Sequence, residues 1–277
     1  MMAPSMLMIA IVSATCRPRR AIAMTEGPAV GTTTRTRTKG LAPIPDDPAL
    51  LAKALLVNDR LCEAYGAPIP FFHDLDPTSE LISSLLSHRT RNADSGRAFK
   101  ALRARYPDWA LVRDAPTSEI ELTISACTWP EQKAPRIQEI LRRIGELRGG
   151  NLSLDFLADL PVPEARAWLE TLPGVGPKTS AATLLFSRLQ RPALPVDSHH
   201  HRVAMRLGLI PKGLAVGPSH AVLEAQLPAD WSAPQVYDNH EALMLHGQQV
   251  CFPAKPRCEG CVVLDLCPFG QERMAPL

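Results

Sequence analysis

The sequence predicts an all-α protein built from many short helices. Apolar residues recur at spacings of three, four and seven between Asp-Pro and Gly-x-Pro punctuation. β-branched runs are scarce and aromatics make up 5% of the chain, too little for an all-β core. The 16 glycines and 27 prolines are scattered as helix boundaries, which excludes a collagen-like or low-complexity protein. At 277 residues and 45% hydrophobic, the chain can bury a core in one or two domains. No apolar stretch approaches the ~20 residues of a bilayer span, so no membrane association is expected.

Residues 1–47 read as an appended, disordered extension. Met6 to Val12 is apolar, but it is short and no basic residue precedes it, as a secretory leader would require. Residues 31–40 are polar and aperiodic. A start at Met24 in place of Met1 is the plainer alternative. Residues 1–40 hold six basic side chains against Glu26 alone, so the net charge of +2 conceals a slightly acidic body. Overall charge therefore gives no argument for nucleic-acid binding, and any such function must rest on local sites.

The helices follow in order. Asp47-Pro48 is a cap and first turn, and Leu50, Leu51, Ala54, Leu55, Val57, Leu61 and Cys62 make its apolar face before Gly66 and Pro68 end it. Asp76-Pro77 opens a second helix with Leu81, Ile82, Leu85 and Leu86. A third spans 92–106 and stops at Pro107. A fourth spans 118–127 and stops at Pro130. A fifth spans 134–147 and stops at Gly149-Gly150.

Pro163 to Leu189 carries more. Ala165, Trp168, Leu169 and Leu172 fall at i, i+3, i+4 and i+7. Leu172-Pro173-Gly174-Val175-Gly176-Pro177-Lys178-Thr179 follows, then a helix with Ala181, Leu184, Leu185 and Leu189 inward. Gly174 and Gly176 let the backbone turn while Val175 plugs between the helices. Amides at the start of the second helix then face an anion, and a phosphodiester is the natural partner. Lys178 sits in that first turn, where the helix dipole makes a neutral amine easier to reach. A neutral amine can attack C1′ of a nucleotide, expel the base and leave a Schiff base. A solvated or phosphate-binding lysine is the plainer reading.

Asp197 precedes a helix and reads as its N-cap. His199, His200 and His201 point ~100° apart on a helix and cannot converge on one ion. Of the seven cysteines, Cys251, Cys258, Cys261 and Cys267 lie within 17 residues with six, two and five residues between them. Without an export signal, metal ligands fit better than disulfides, and zinc and iron both take four thiolates. Lys255 and Arg257 project from the proline-stiffened loop between the first two cysteines.

These three motifs (Leu172 to Thr179, Val196-Asp197-Ser198-His199, and the cysteine cluster) resemble, in order, those of the endonuclease III family of helix–hairpin–helix DNA glycosylases. The resemblance covers about residues 48–268. It implies a [4Fe-4S] cluster on Cys251, Cys258, Cys261 and Cys267. It makes Lys178 the nucleophile, and Asp197 the carboxylate that assists it and steadies positive charge on the sugar. It implies a two-lobed fold, with residues 74–190 a six-helix barrel carrying the hairpin, and residues 48–73 with 191–270 the cluster lobe.

The chain departs from the family pattern at His88-Arg89-Thr90, where Arg89 takes the place of a glutamine that fills the gap left by an everted base. Trp129 stands near an apolar wedge residue and is either a stronger wedge or a core tryptophan at a helix end. The link at 152–163 is longer. Arg89, Trp129, Lys133, Gly174, Val175, Gly176, Lys255 and Arg257 are the expected DNA contacts. The function implied is a monomeric, cytoplasmic, nucleoid-associated glycosylase and abasic-site lyase. Its expected substrate is double-stranded DNA with damaged bases, chiefly oxidised pyrimidines, or abasic sites. The alternatives are a monofunctional mismatch glycosylase and a non-enzymatic DNA-binding paralogue.

Overall fold

The computed structural model describes residues 47–71 and 74–276. The N-terminal extension to residue 46, the two candidate start sites and Cys16 lie outside the described residues. Among the described residues there are twelve α-helices, two short 3₁₀ turns and no strand.

Most helix starts follow from local chemistry. Asp47 caps α1 (Pro48–Tyr65), accepting the Ala49 amide at 2.9 Å. Asp76 caps α2 (Pro77–Ser87) through the amides of Thr78 and Ser79, with proline in the first turn. Gly66 ends α1 in the left-handed conformation, φ 74°. The third helix, α3 (Asn92–Arg105), lies close to its expected span.

The region between Pro107 and Gly150 differs from the expectation. Asp108 caps an additional helix, α4 (Trp109–Asp114), and α5 (Thr117–Thr123) ends before the cysteine that was to close it. Pro130 does not stop a helix. It occupies the first turn of α6 (Pro130–Leu147), which continues through Pro135. Both Pro135 and Glu131, whose carbonyl loses its intrahelical donor there, are exposed, so water can replace the missing bond. Buried Gln138 joins α6 to the α4–α5 connection by donating to the carbonyls of Val112 at 3.0 Å and Ala115 at 2.7 Å. The longer link is packed: Leu154 and Leu157 are buried around the turn Asp155–Asp159.

The remaining helices are α7 (Val162–Leu169), α8 (Pro177–Phe186), α9 (Ser198–Leu207), α10 (Val216–Glu224), α11 (Ala233–Gln249) and α12 (Pro268–Met274). Two apolar cores form. The first gathers side chains from α2 to α8, including Leu86, Ile120, Ile140, Ile144 and Leu184. The second gathers α1, α9, α10 and α11, including Leu61, Val203, Leu223 and Tyr237.

Helix α8 belongs to both cores. Ala181 and Leu184 face the first core, and Ala182, Leu185 and Phe186 face the second. All its residues from Thr179 to Phe186 are buried, so it lacks the polar face expected of a surface helix. Leu189, expected within this helix, lies beyond its end and packs at the margin of the first core.

Helices α9 and α11 cross closely. A Cβ at Gly247 would come within 2.8 Å of His199 Cβ and 3.1 Å of the His199 carbonyl oxygen, so only glycine permits this crossing. Gly247→Ala should therefore push α9 away from α11 at the turn after Asp197. Overpacking of this kind costs about 1–3 kcal/mol. Chemical denaturation should show the lower midpoint with an unchanged denaturant slope.

Candidate functional site

A cleft of about 1200 Å³ opens among α2, α3, α6, α8, α9 and α11. Lys178 and Asp197, 19 residues apart in sequence, both line it, together with Glu80, His88, Arg89, Trp129, Lys133, Gly174, His199, His240 and Glu241.

Lys178 is the second residue of α8, half-buried at the foot of the cleft. Burial lowers its pKa below that of an ordinary lysine, against the opposing pull of the Asp197 and Glu80 charges. Helix start and burial thus act in the same direction on the amine. Asp197 stands at the mouth of α9, where its Oδ1 accepts the His200 amide at 2.7 Å. The cap fixes the carboxylate. Glu241, one of its neighbours, is pushed up to about 7 by burial and by the Asp197 charge.

The hairpin is less symmetric than its two glycines suggest. Gly174 has φ +77° and a Cβ there would meet the Arg136 side chain at 3.3 Å, so this position requires glycine. Gly176 is extended, and a Cβ on it would meet nothing within 4 Å. Val175 is buried and its amide donates to the Leu172 carbonyl at 3.1 Å. That bond engages the amide within the turn, and the Val175 side chain packs in the first core. Thr179 and Ser180 donate to the Gly176 carbonyl, while no side chain caps α8. The uncapped first turn beside Lys178 remains the anion-facing element.

Arg89 and Trp129 face each other across the cleft. Both have left-handed backbones, φ 51° and 54°, a conformation that costs a non-glycine residue of order 1–3 kcal/mol. Trp129 is 43% exposed, which removes the core-tryptophan alternative. The Arg89 guanidinium carbon lies 5.8 Å from the indole centroid, within cation–π range. Two loops therefore hold one polar and one flat side chain together in the cleft, at the cost of backbone strain.

Lys133 explains how these loops are held. Its Nζ donates to the Leu86 carbonyl at 2.7 Å, the His88 carbonyl at 2.9 Å and Thr90 Oγ1 at 2.8 Å. The Thr128 amide, beside Trp129, donates to the same Thr90 hydroxyl at 3.2 Å. All three ammonium protons are engaged within the protein, so Lys133 clasps the two loops together. The sequence carried no sign of this, because Lys133 meets residues more than 40 positions away.

Cys251, Cys258, Cys261 and Cys267 wall a second, small pocket near α12. None is in a disulfide. Among the described residues, no three His, Cys, Asp or Glu side chains stand close enough to hold a single metal ion. Donors approach the sulfurs: Arg206 Nη1 reaches Cys251 Sγ at 3.2 Å, and the Gly270 amide reaches Cys267 Sγ at 3.3 Å. His246 Nε2 lies 3.5 Å from Cys261 Sγ. Four thiols around one pocket with N–H groups aimed at them suit a thiolate-bound iron–sulfur group. Lys255 and Arg257 are exposed on the ligand loop, with Arg257 5.2 Å from the Phe252 ring centroid. Of the histidines, His200 is buried and His201 Nε2 bonds the Leu214 carbonyl at 2.7 Å. Only His199 of the three lines the cleft.

No family model matches the chain. It is 32% identical over 228 residues to Endonuclease III of Escherichia coli, covering 80% of this chain and 97% of that one. It is 33% identical over 200 residues to Endonuclease III of Thermotoga maritima, covering 72% and 86% respectively. A relative from Arabidopsis thaliana is 34% identical over 175 residues, and the match spans only 57% of its length. Among solved structures, a trapped endonuclease III–DNA covalent intermediate superposes with a TM-score of 0.69 at 24% identity, covering 81% of this chain and 99% of that one. A thermostable thymine-DNA glycosylase gives 0.67 at 23%, covering 81% and 99%.

Replacing Lys133 with alanine should leave the Leu86 carbonyl with only the Cys127 thiol at 3.5 Å and the His88 carbonyl with only the Thr90 hydroxyl at 3.3 Å, a loss of about 1–3 kcal/mol. Thermal unfolding should register the loss. The slope of log affinity against log salt on duplex DNA should stay as in the parent protein. Lys255→Ala with Arg257→Ala should instead flatten it by about 0.9 per lost phosphate contact.

Proposed function

The chain belongs to the endonuclease III family, and from that premise we propose that it is a base-excision-repair DNA glycosylase with abasic-site lyase activity. The observation that carries the proposal is the convergence of a half-buried Lys178 and a capped Asp197 on one cleft, beside an uncapped helix start.

The duplex lies along the cleft, with residues 74–190 on one side and residues 48–73 and 191–270 on the other. The Gly174–Lys178 turn takes a phosphate on its free amides, contacting DNA without regard to sequence. Arg89 and Trp129 enter the stack where one nucleotide leaves it, Trp129 as the flat wedge and Arg89 in the vacated space. Lys255 and Arg257 meet the backbone further along.

In the everted nucleotide, the neutral amine of Lys178 attacks C1′ and the base departs with the electron pair of its glycosidic bond. The fixed carboxylate of Asp197 stabilises positive charge as it develops on the sugar. The C1′–O4′ bond then opens, O4′ leaving as a hydroxyl that takes up a proton, and the imine so formed at C1′ acidifies C2′; loss of a C2′ proton expels the 3′ phosphate and cuts the strand. The substrate class is a damaged base in double-stranded DNA, with oxidised pyrimidines the first to try. The protein acts as a monomer at the nucleoid. No helix among the described residues is long and apolar enough to cross a membrane.

Cys251, Cys258, Cys261 and Cys267 would hold a [4Fe-4S] cluster, which supplies a cross-link that orders the loop bearing Lys255 and Arg257. Arg206 supports that loop from α9, donating to the carbonyls of Phe252 at 2.8 Å and Pro253 at 2.7 Å.

Borohydride reduction in the presence of a duplex carrying thymine glycol or an abasic site should trap a covalent adduct. Lys178→Gln should abolish it while duplex affinity stays within a few-fold, and an undiminished adduct would place the nucleophile elsewhere. Asp197→Asn should slow strand cleavage yet keep the helix cap, whereas Asp197→Ala should also lose about 1 kcal/mol of stability. Elemental analysis of the purified protein should find about four iron atoms per chain and little zinc.

A further inference from the structure

One buried carboxyl in the cleft has no part in the chemistry above. Glu80 lies on α2, 3% exposed, and lines the same cleft as Lys178. Its Oε1 accepts the Ser84 hydroxyl at 3.1 Å, one turn along the same helix. Helix α2 packs along α8, and the Glu80 carboxylate and the Lys178 ammonium attract each other across that contact. Asp197, the other carboxylate near Lys178, already has one oxygen committed to the His200 amide.

We infer that Glu80 is the proton acceptor that frees the Lys178 amine, an inference that rests on the Schiff-base reading. An N–H bond of the ammonium breaks and an O–H bond forms on Glu80. The lone pair left on Nζ then forms the bond to C1′. At an abasic site the aldehyde oxygen leaves as water, taking one proton from the amine nitrogen and one back from Glu80, and the positive charge remains on the imine nitrogen. Glu80 acts through Lys178 and not on the substrate.

The energetics agree with the geometry. Burial pushes Glu80 up to about 7, with the Ser84 hydrogen bond and the Lys178 charge pulling it back down. The same desolvation lowers Lys178. Donor and acceptor are thus drawn toward equal proton affinity, where transfer costs least. Other charged or titratable groups also face this pair. His88 follows α2 and is held down to about 4 by burial and by the Lys178 and Lys133 charges. Lys133 and Arg136 come from α6, Asp197 and His199 from the start of α9, and His240 and Glu241 from α11.

The sign follows. In acid Glu80 is already protonated and Lys178 has nowhere to place its proton, so adduct formation should rise with pH through about 7. The test is the single-turnover rate of borohydride trapping on an abasic duplex, measured across that range. Glu80→Gln should lower the plateau by about tenfold or more and remove the step. Its affinity for a duplex carrying a tetrahydrofuran abasic analogue should stay within a few-fold. Ser84→Ala removes a bond that lowers Glu80, so the step should move to higher pH.

An unchanged plateau and step in Glu80→Gln would overturn the inference. Faster trapping would also overturn it, since Glu80 would then only steady the ammonium. A step lost in Glu241→Gln but kept in Glu80→Gln would give the role to Glu241. Should Glu80→Gln fail to fold, an unmoved step in Ser84→Ala is sufficient to reject it. An adduct that persists in Lys178→Gln refutes the nucleophile, whatever Glu80 does.

Discussion

Burial of α8 between two apolar cores determines where Lys178 can be and what state it can hold. The helix has no face to give to water, so both cores close around it, and its first turn brings Lys178 to the cleft. An amine on that turn is desolvated by the packing that stabilises the protein. The lowered proton affinity of the lysine is thus a consequence of the fold.

Helix α9 extends this constraint across the second core. Its N-terminus carries Asp197 as a cap, and its later turns carry Arg202 and Arg206, whose guanidiniums bond the carbonyls of Cys251, Phe252 and Pro253. The position of the carboxylate and the position of the cysteine loop are therefore set by one rigid element. The close crossing at Gly247 seats that element against α11, which brings His240 and Glu241 to the cleft. The protein needs no separate device to align the two regions.

The opposite wall works by strain held in place. Arg89 and Trp129 occupy backbone conformations that non-glycine residues avoid, and the Lys133 clasp with Thr90 is what keeps them there. A buried ammonium is expensive unless every proton finds an acceptor, and here three do. Under the proposed function, holding the two side chains in place before DNA arrives lowers the entropic cost of inserting them.

Much of this was legible in the sequence, for local reasons. Asp47, Asp76 and Asp197 announce helix starts because a cap needs only the next three residues. The hairpin and the cysteine spacing were readable because short motifs carry their own geometry. Pro130 was misread for the same reason: a proline ends one helix or begins another, and only the cap and core that follow decide which. Burial of α8 on all sides was hidden, because a helix shared by two cores looks like any apolar helix until both are assembled. The Lys133 clasp and the attraction between Glu80 and Lys178 join residues that the chain order keeps apart. Local preference determined where the helices and ligands lie along the chain. Tertiary packing decided which polar groups lose water together, and that desolvation sets their charge and their chemistry.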